Sequence, residues 1–357
     1  MTCTDPYAFA SLAAERLIKG FGINALPVDP FAIARDREIT VMAKSACDAG
    51  VSGMLLRVGN EFAIAYATHI DNEPFQRFSV SHELGHYFLP GHVDAVLDAN
   101  GMHESRAGFA SNNRYEIEAD RFAAGFLMPR HLFFPALERA GQGLAAIEAL
   151  AGLSKASLHA TAIRYTQCTR DPVAIVVSVG NRIDHCFMSE ALKAVNGIDW
   201  IRKREAVPHS TPTFAFNQDA TNVQRAVRIE ETSNLQDWFG GRRSIEIRED
   251  VIGLGSYGKT VTVLYDIALP DAEEEEDEES LIESWTPRFR RETQSLSHAL
   301  PFAARVNGDY PALPRDAANS LEVDQPDRVV TESFLAWSGS FIAKLGIRFT
   351  TAVRQTD

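Results

Sequence analysis

Apolar residues recur at helical spacing over residues 5–19, where Ala, Leu and Ile mark one face, and the glycines at 20 and 22 stop the run. A short helix is predicted over 29–35, with Pro30 in its first turn. The pattern then changes to strands: ITVMA (39–43), GMLLRV (53–58) and EFAIAYA (61–67), the last two divided by a Gly59-Asn60 turn. From 74 to about 89 the period is helical again. Phe78, Val80, Leu84 and Phe88 share or flank a buried face, and Pro90-Gly91 ends the helix. The polar stretch 100–114, with its Gly and Asn, reads as a loop. YEIEADRFAAGFLMP (115–129) is strongly helical and Pro129 stops it. Two shorter helices are expected near 141–151 and 155–165.

After Asp171-Pro172 the character becomes β: AIVVSV (174–179), SIEIRE (244–249) and TVTVLYDIAL (260–269) read as strands. GLGSYGK (253–259) has glycines but not the spacing of a phosphate-binding loop, so it reads as a hairpin turn. DAEEEEDEE (271–279) is an acidic run of the kind that forms a solvated linker. A helix is expected around 281–298 in the tail. The resulting plan is an α+β chain: a first domain over 1–135, a helical segment over 136–171 with the outline of a helix-turn-helix, and a β-rich domain over 172–270. A linker over 271–279 and a partly helical tail over 280–357 follow.

A chain of 357 residues with 45% hydrophobic content can bury cores for two domains. Its formal charge of −13 argues against a coat on nucleic acid, and the helix-turn-helix outline carries few basic residues (Lys155, Arg164), so direct DNA binding is not favoured. The four cysteines, Cys3, Cys47, Cys168 and Cys186, are scattered without a CxxC pair, which reads as free thiols in a reducing compartment. The first twenty residues mix charges with apolar residues, unlike a signal peptide, and no run of about 18 apolar residues occurs. A cytoplasmic protein without a membrane span is expected.

The chemistry concentrates in SHELGHYFLPGH (81–92). Residues four apart share a helix face, so His82 and His86 can direct their imidazoles at one ion, while Glu83 hangs beside it. This is the HExxH arrangement of zinc peptidases, in which the glutamate is the general base. A catalytic zinc takes a third protein ligand and leaves a fourth position open. Three residues compete for that third place. His92 has the spacing of the longer HExxHxxGxxH form, but Leu89 stands where that form has glycine. Glu116 opens the following helix and has Asp120 four residues on, able to hold the outer N–H of a ligating histidine. Glu118 is the third. Glu116 is preferred because it brings Asp120 with it. Tyr87, His92, Arg114 and Tyr115 are candidates for oxyanion or substrate contacts, with no means of choosing among them.

RFSVSHELGHYFL followed by EIEADRFAAGFLMP resembles the ImmA/IrrE family of metallopeptidases, whose second helix reads roughly E-x-x-A-(D/N)-x-F-A-x-x-L-L-M-P. Glu116, Ala119, Asp120, Phe122, Ala123, Leu127, Met128 and Pro129 match, and Phe126 replaces the first leucine. The resemblance covers about residues 8–166. It implies a zincin-like peptidase domain, a small sheet plus active-site helices, with gluzincin-like geometry: His82, His86 and Glu116 as ligands of Zn2+ and Glu83 as the catalytic base. It also implies an intracellular endopeptidase that cleaves a helix-turn-helix repressor in trans, switching on stress or mobile-element genes. The competing readings are a transcription regulator with a vestigial or structural zinc site, and a module that binds a partner without cutting it.

Overall fold

The computed structural model describes residues 7–44, 50–106, 113–241 and 244–268. The acidic run, the tail, Cys3 and Cys47 lie outside the described residues.

The chain opens with α1 (Ala8–Gly20) and α2 (Pro30–Asp36), the latter capped by the Asp29 carboxylate, which accepts from the Phe31 N–H. Strands β1 (Thr40–Lys44), β2 (Val51–Val58) and β3 (Glu61–Ala67) follow as expected, β2 and β3 as an antiparallel hairpin about Gly59-Asn60. Next comes α3 (Glu73–Phe88). Asn72 caps it by accepting from the Phe75 N–H, Glu73 complements the helix dipole, and Pro74 occupies the first turn.

Pro90-Gly91 ends α3, but the chain does not stay irregular. Gly91, at φ +77°, turns it directly into a short helix, α4 (His92–Val96). The predicted loop over 100–114 is also corrected. Residues Met102–Arg106 form β4, an edge strand paired antiparallel to β2, so that the first sheet has the order β1-β3-β2-β4. Helix α5 (Arg114–Leu127) is capped by the Asn113 side chain. Pro129, which ends α5, caps a further helix that the sequence reading passed over, α6 (Arg130–Ala140). Helices α7 (Gly143–Ser154) and α8 (Leu158–Cys168) complete the helical part.

The later strands are β5 (Ala174–Val179), β6 (Arg182–Met188), β7 (Arg228–Asn234), β8 (Glu246–Gly253) and β9 (Thr260–Tyr265). They form an antiparallel sheet in the order β6-β5-β9-β8-β7, and GLGSYGK is the β8–β9 turn as read from the sequence. Short helices α9 (Glu190–Lys193), α10 (Pro212–Asn217), α11 (Ala220–Gln224) and α12 (Leu235–Phe239) lie between β6 and β8.

Strand alternation assigns the two faces of this sheet to different cores. Ile175, Val177, Val261 and Val263 join Leu144, Ile147, Leu150 and Tyr165 of α7 and α8, in a cluster continuous with Val80, Leu84, Phe122 and Phe126. Ala174, Val176 and Leu264 turn the other way, onto Leu235, Trp238 and Phe239 of α12. Helix α8, the second helix of the helix-turn-helix outline, is thus packed against the sheet. Gln167 is its one exposed residue, so no face of α8 is presented to a DNA groove. Cys168 and Cys186 are free thiols. Among the described residues, no helix is long and apolar enough to cross a membrane.

Candidate metal centre

Helix α3 lies between the first sheet and α5. It crosses α5 at Gly85, where a Cβ would stand 3.2 Å from the Ala119 Cα, tighter than ordinary packing. This close crossing puts one face of α3 against the first two turns of α5. His82 and His86 are buried there, with their Nε2 atoms 3.0 Å apart. Glu116 meets both: Oε2 is 3.3 Å from His82 Nε2, and Oε1 is 3.5 Å from His86 Nε2.

Ligand atoms around a tetrahedral zinc, at ~2.0–2.1 Å from the ion, stand about 3.3 Å apart. The three separations fit a first-row divalent ion, and the imidazole–carboxylate donor set suits zinc. The ligand atoms of His82, His86 and Glu116 lie within 4.8 Å of one another, and so do those of a second group, Glu83, His86 and His103. Asp120 Oδ1 lies 2.9 Å from His82 Nδ1, placed to hold that nitrogen's proton outward.

The electrostatics are those of a site assembled around a cation. Burial opposes charge on His82, yet the hydrogen bonds to Asp120 and Glu116 outweigh it and raise its pKa to about 10. Burial, with the charge of His82 and His103, presses His86 down to about 2. Burial would raise Glu116, but hydrogen bonds from His103 and His82 overcome it and hold the carboxyl well below its usual range. Without a metal, the cluster keeps His82 protonated and His86 neutral.

Glu83 stands apart from this triangle. It is fully buried, and neither carboxylate oxygen has a well-formed hydrogen bond, the Ser105 hydroxyl being the side-chain donor near enough to favour its charge. Burial raises its pKa, against the charge of His82 and His103. Buried polar groups are nearly always well satisfied, so a weakly held carboxylate beside two histidines is a place where a ligand or water fits.

The other residues singled out in the sequence fall behind or beside the site. His92 is not the third corner of the triangle. It is buried beneath His86, with its Nδ1 3.2 Å from His86 Nδ1 and its Nε2 2.8 Å from Glu118 Oε2. Glu118 is accordingly turned away from the triangle, and Arg114 donates to its other oxygen. Tyr115 lies edge-on to the His92 ring, and Tyr87 is edge-on to Phe62 and Phe88.

The residue that sequence reading missed is His103. It reaches the site from β4, with Nε2 3.1 Å from Glu116 Oε1 and its ring centroid 4.6 Å from that of His86. Its cross-strand partner is Leu55, and Ser105 on the same strand opposes Gly53. A histidine in a five-residue polar strand gives little periodic signal. The preceding Asn100-Gly101 turn was the available clue.

Two helices carrying an HExxH pair and a downstream glutamate, set against a small mixed sheet, define a zincin-like domain. The family comparison agrees: residues 35–164 match the Peptidase_M78 model, described as an IrrE N-terminal-like domain, and this segment belongs to the ImmA/IrrE family. Among solved structures, a Mycobacterium tuberculosis transcriptional regulator is similar, with a TM-score of 0.48 and 16% identity, covering 72% of this chain and 76% of that one. No curated protein matches the chain.

Proposed function

We propose that the chain is an intracellular, zinc-dependent endopeptidase. The observation that carries this reading is Glu83. It is buried beside His82 and His86, and neither carboxylate oxygen has a well-formed hydrogen bond to hold it. A structural metal site has no use for a buried, non-ligating carboxylate next to its ligands, whereas hydrolysis needs a base held there in advance.

His82, His86 and Glu116 would hold the ion. When bound, zinc supplies Lewis acidity, polarising a carbonyl and lowering the pKa of water. Glu83 takes the proton of the attacking water and delivers it to the departing amine nitrogen. Its burial strengthens it as a base. Asp120 holds the proton on the outer nitrogen of His82, so that the inner nitrogen is the one that gives up its proton to face the ion. His103, beside both Glu116 and Glu83, supplies an N–H donor on the sheet side of the site. It is the residue we assign to stabilise the developing oxyanion.

The substrate is a protein in trans. The family resemblance favours a transcriptional repressor, and release of that repressor would switch on stress or mobile-element genes. The deciding experiment compares new protein N-termini in cells expressing wild type or Glu83→Gln, with and without DNA damage or oxidative stress. A cleavage that requires Glu83 supports the reading and identifies the substrate. If no Glu83-dependent terminus appears at good expression, the chain acts as a binding or regulatory module instead.

A further inference from the structure

We propose that Arg114, Glu118 and His92 form a positioning relay that fixes which ring nitrogen of His86 carries its proton, and thereby sets how strongly the site holds a metal. The second half of this statement rests on the metal reading above; the first half does not.

The argument is one of donors and acceptors. Glu118 lies on α5 with its carboxylate buried, 2% exposed. An ionised carboxylate only accepts. One oxygen accepts from Arg114 Nε, one turn earlier on the same helix, and the other lies 2.8 Å from His92 Nε2. For that contact to be a hydrogen bond, His92 must carry its proton on Nε2. The Nδ1 of a neutral His92 is then a bare acceptor, and it lies 3.2 Å from His86 Nδ1. His86 must therefore donate from Nδ1, which leaves its Nε2 lone pair facing His82 and Glu116.

Each member is placed by a separate feature of the chain. Gly91 turns α4 so that His92, 1% exposed, sits beneath His86. The helical spacing of Arg114 and Glu118 closes the outer end. His86 thus has in His92 what His82 has in Asp120, with the carboxylate one imidazole further away.

The relay makes a prediction of sign that simple packing does not. In Glu118→Gln the side chain keeps its shape but has one acceptor and one donor. Arg114 can only donate, so it holds the amide oxygen, and the NH2 group turns to His92 Nε2. His92 must then accept at Nε2 and carry its proton on Nδ1. His86 in turn accepts at Nδ1, and its own proton moves to Nε2, where the metal would bind. Adding Arg114→Ala releases the amide to rotate, returns its oxygen to His92, and restores the original arrangement.

Two readouts on the full chain test this. The first is the imidazole 15N spectrum of the metal-free protein, which reports the protonated nitrogen of His86 and His92. Wild type should show His86 protonated on Nδ1 and His92 on Nε2, and Glu118→Gln should reverse both. The second is zinc affinity, measured by competition with a chromophoric chelator. Glu118→Gln should lose about ten- to a hundredfold, the usual cost of disturbing a ligand's supporting partner. The Arg114→Ala/Glu118→Gln double variant should recover most of that loss.

A wild-type His86 protonated on Nε2 overturns the relay without any variant being needed. So does a double variant that binds zinc no better than Glu118→Gln. Tautomers that reverse as expected in a protein that binds no zinc would sustain the relay and sink the metal reading alone. Unchanged tautomers together with zinc affinity equal to wild type would do the opposite.

Discussion

A methyl group placed on Gly53 would stand 2.5 Å from Oε1 of Glu83. The absence of a side chain in the middle of β2 is what makes room for the carboxylate. Gly53→Ala should therefore push Glu83 out of position while leaving His82, His86 and Glu116 in place. Peptide cleavage should fall by about 10²- to 10⁴-fold, the range that a positioned base contributes. Zinc content, measured by atomic emission, should stay near one per chain. Loss of metal along with activity would show that the strain spreads through α3.

Zinc uptake should release a proton. His82 is raised to about 10 in the metal-free site, so near neutrality it must shed that proton to become a ligand. Apparent affinity should then rise about tenfold per pH unit through the neutral range. Calorimetry in buffers of different ionisation enthalpy would count the proton. The same raised pKa stabilises the metal-free fold below about pH 6.5, and that contribution is lost as pH rises toward 10. Asp120→Asn, which removes the largest influence raising His82, should flatten both dependences.

His103→Ala should separate chemistry from metal retention. If His103 donates to a developing oxyanion, kcat falls by about 10²- to 10³-fold, KM changes little, and zinc affinity moves by less than about tenfold. A collapse in zinc affinity would instead make His103 a partner of Glu116 and nothing more.

Asp250 on β8 does for α7 what the helix's own residues do not. Gln142 precedes α7 without a capping side-chain bond, and Asp250 Oδ2 accepts from the Leu144 N–H across 2.9 Å. Asp250→Ala leaves that buried donor unpaired and removes an anion from the helix N-terminus. It should cost about 1–3 kcal/mol, read from urea unfolding.

His159 gives an acid-side dependence. Burial, reinforced by Lys259 and His185, lowers its pKa to about 4. The unfolded chain takes up that proton near pH 6.5 and the folded chain does so only near 4. Stability is therefore lost as pH falls through this interval. A His159→Leu variant should show a shallower fall in Tm between pH 6.5 and 4 than wild type.

The parts of the site legible in the sequence were those carried on long, periodic helices. His82, Glu83, His86 and Glu116 sit in α3 and α5, where apolar spacing and a proline stop agree. The hairpin of β2 and β3 was equally plain. What escaped had short or polar elements whose partners are distant in sequence. β4 is five residues long and takes its place from β2; its His103 faces the site through pairing alone. β7, RIEETSN, is an edge strand with no buried residue, so it has no alternation to read. α6 was hidden because Pro129 stops one helix and caps the next. His92 was noticed for its spacing, but only the turn at Gly91 could place it under His86.

The five-stranded sheet gives one face to each of two cores, and this limits how the chain can be divided. A fragment ending after α8 would retain all the histidines and carboxylates of the metal centre. It would also lose Ile175, Val177, Val261 and Val263, leaving Leu144, Ile147, Leu150 and Tyr165 open to water. Such a fragment should precipitate or recruit chaperones. Whatever the later strands do on their own account, the first half of the chain needs them as its wall.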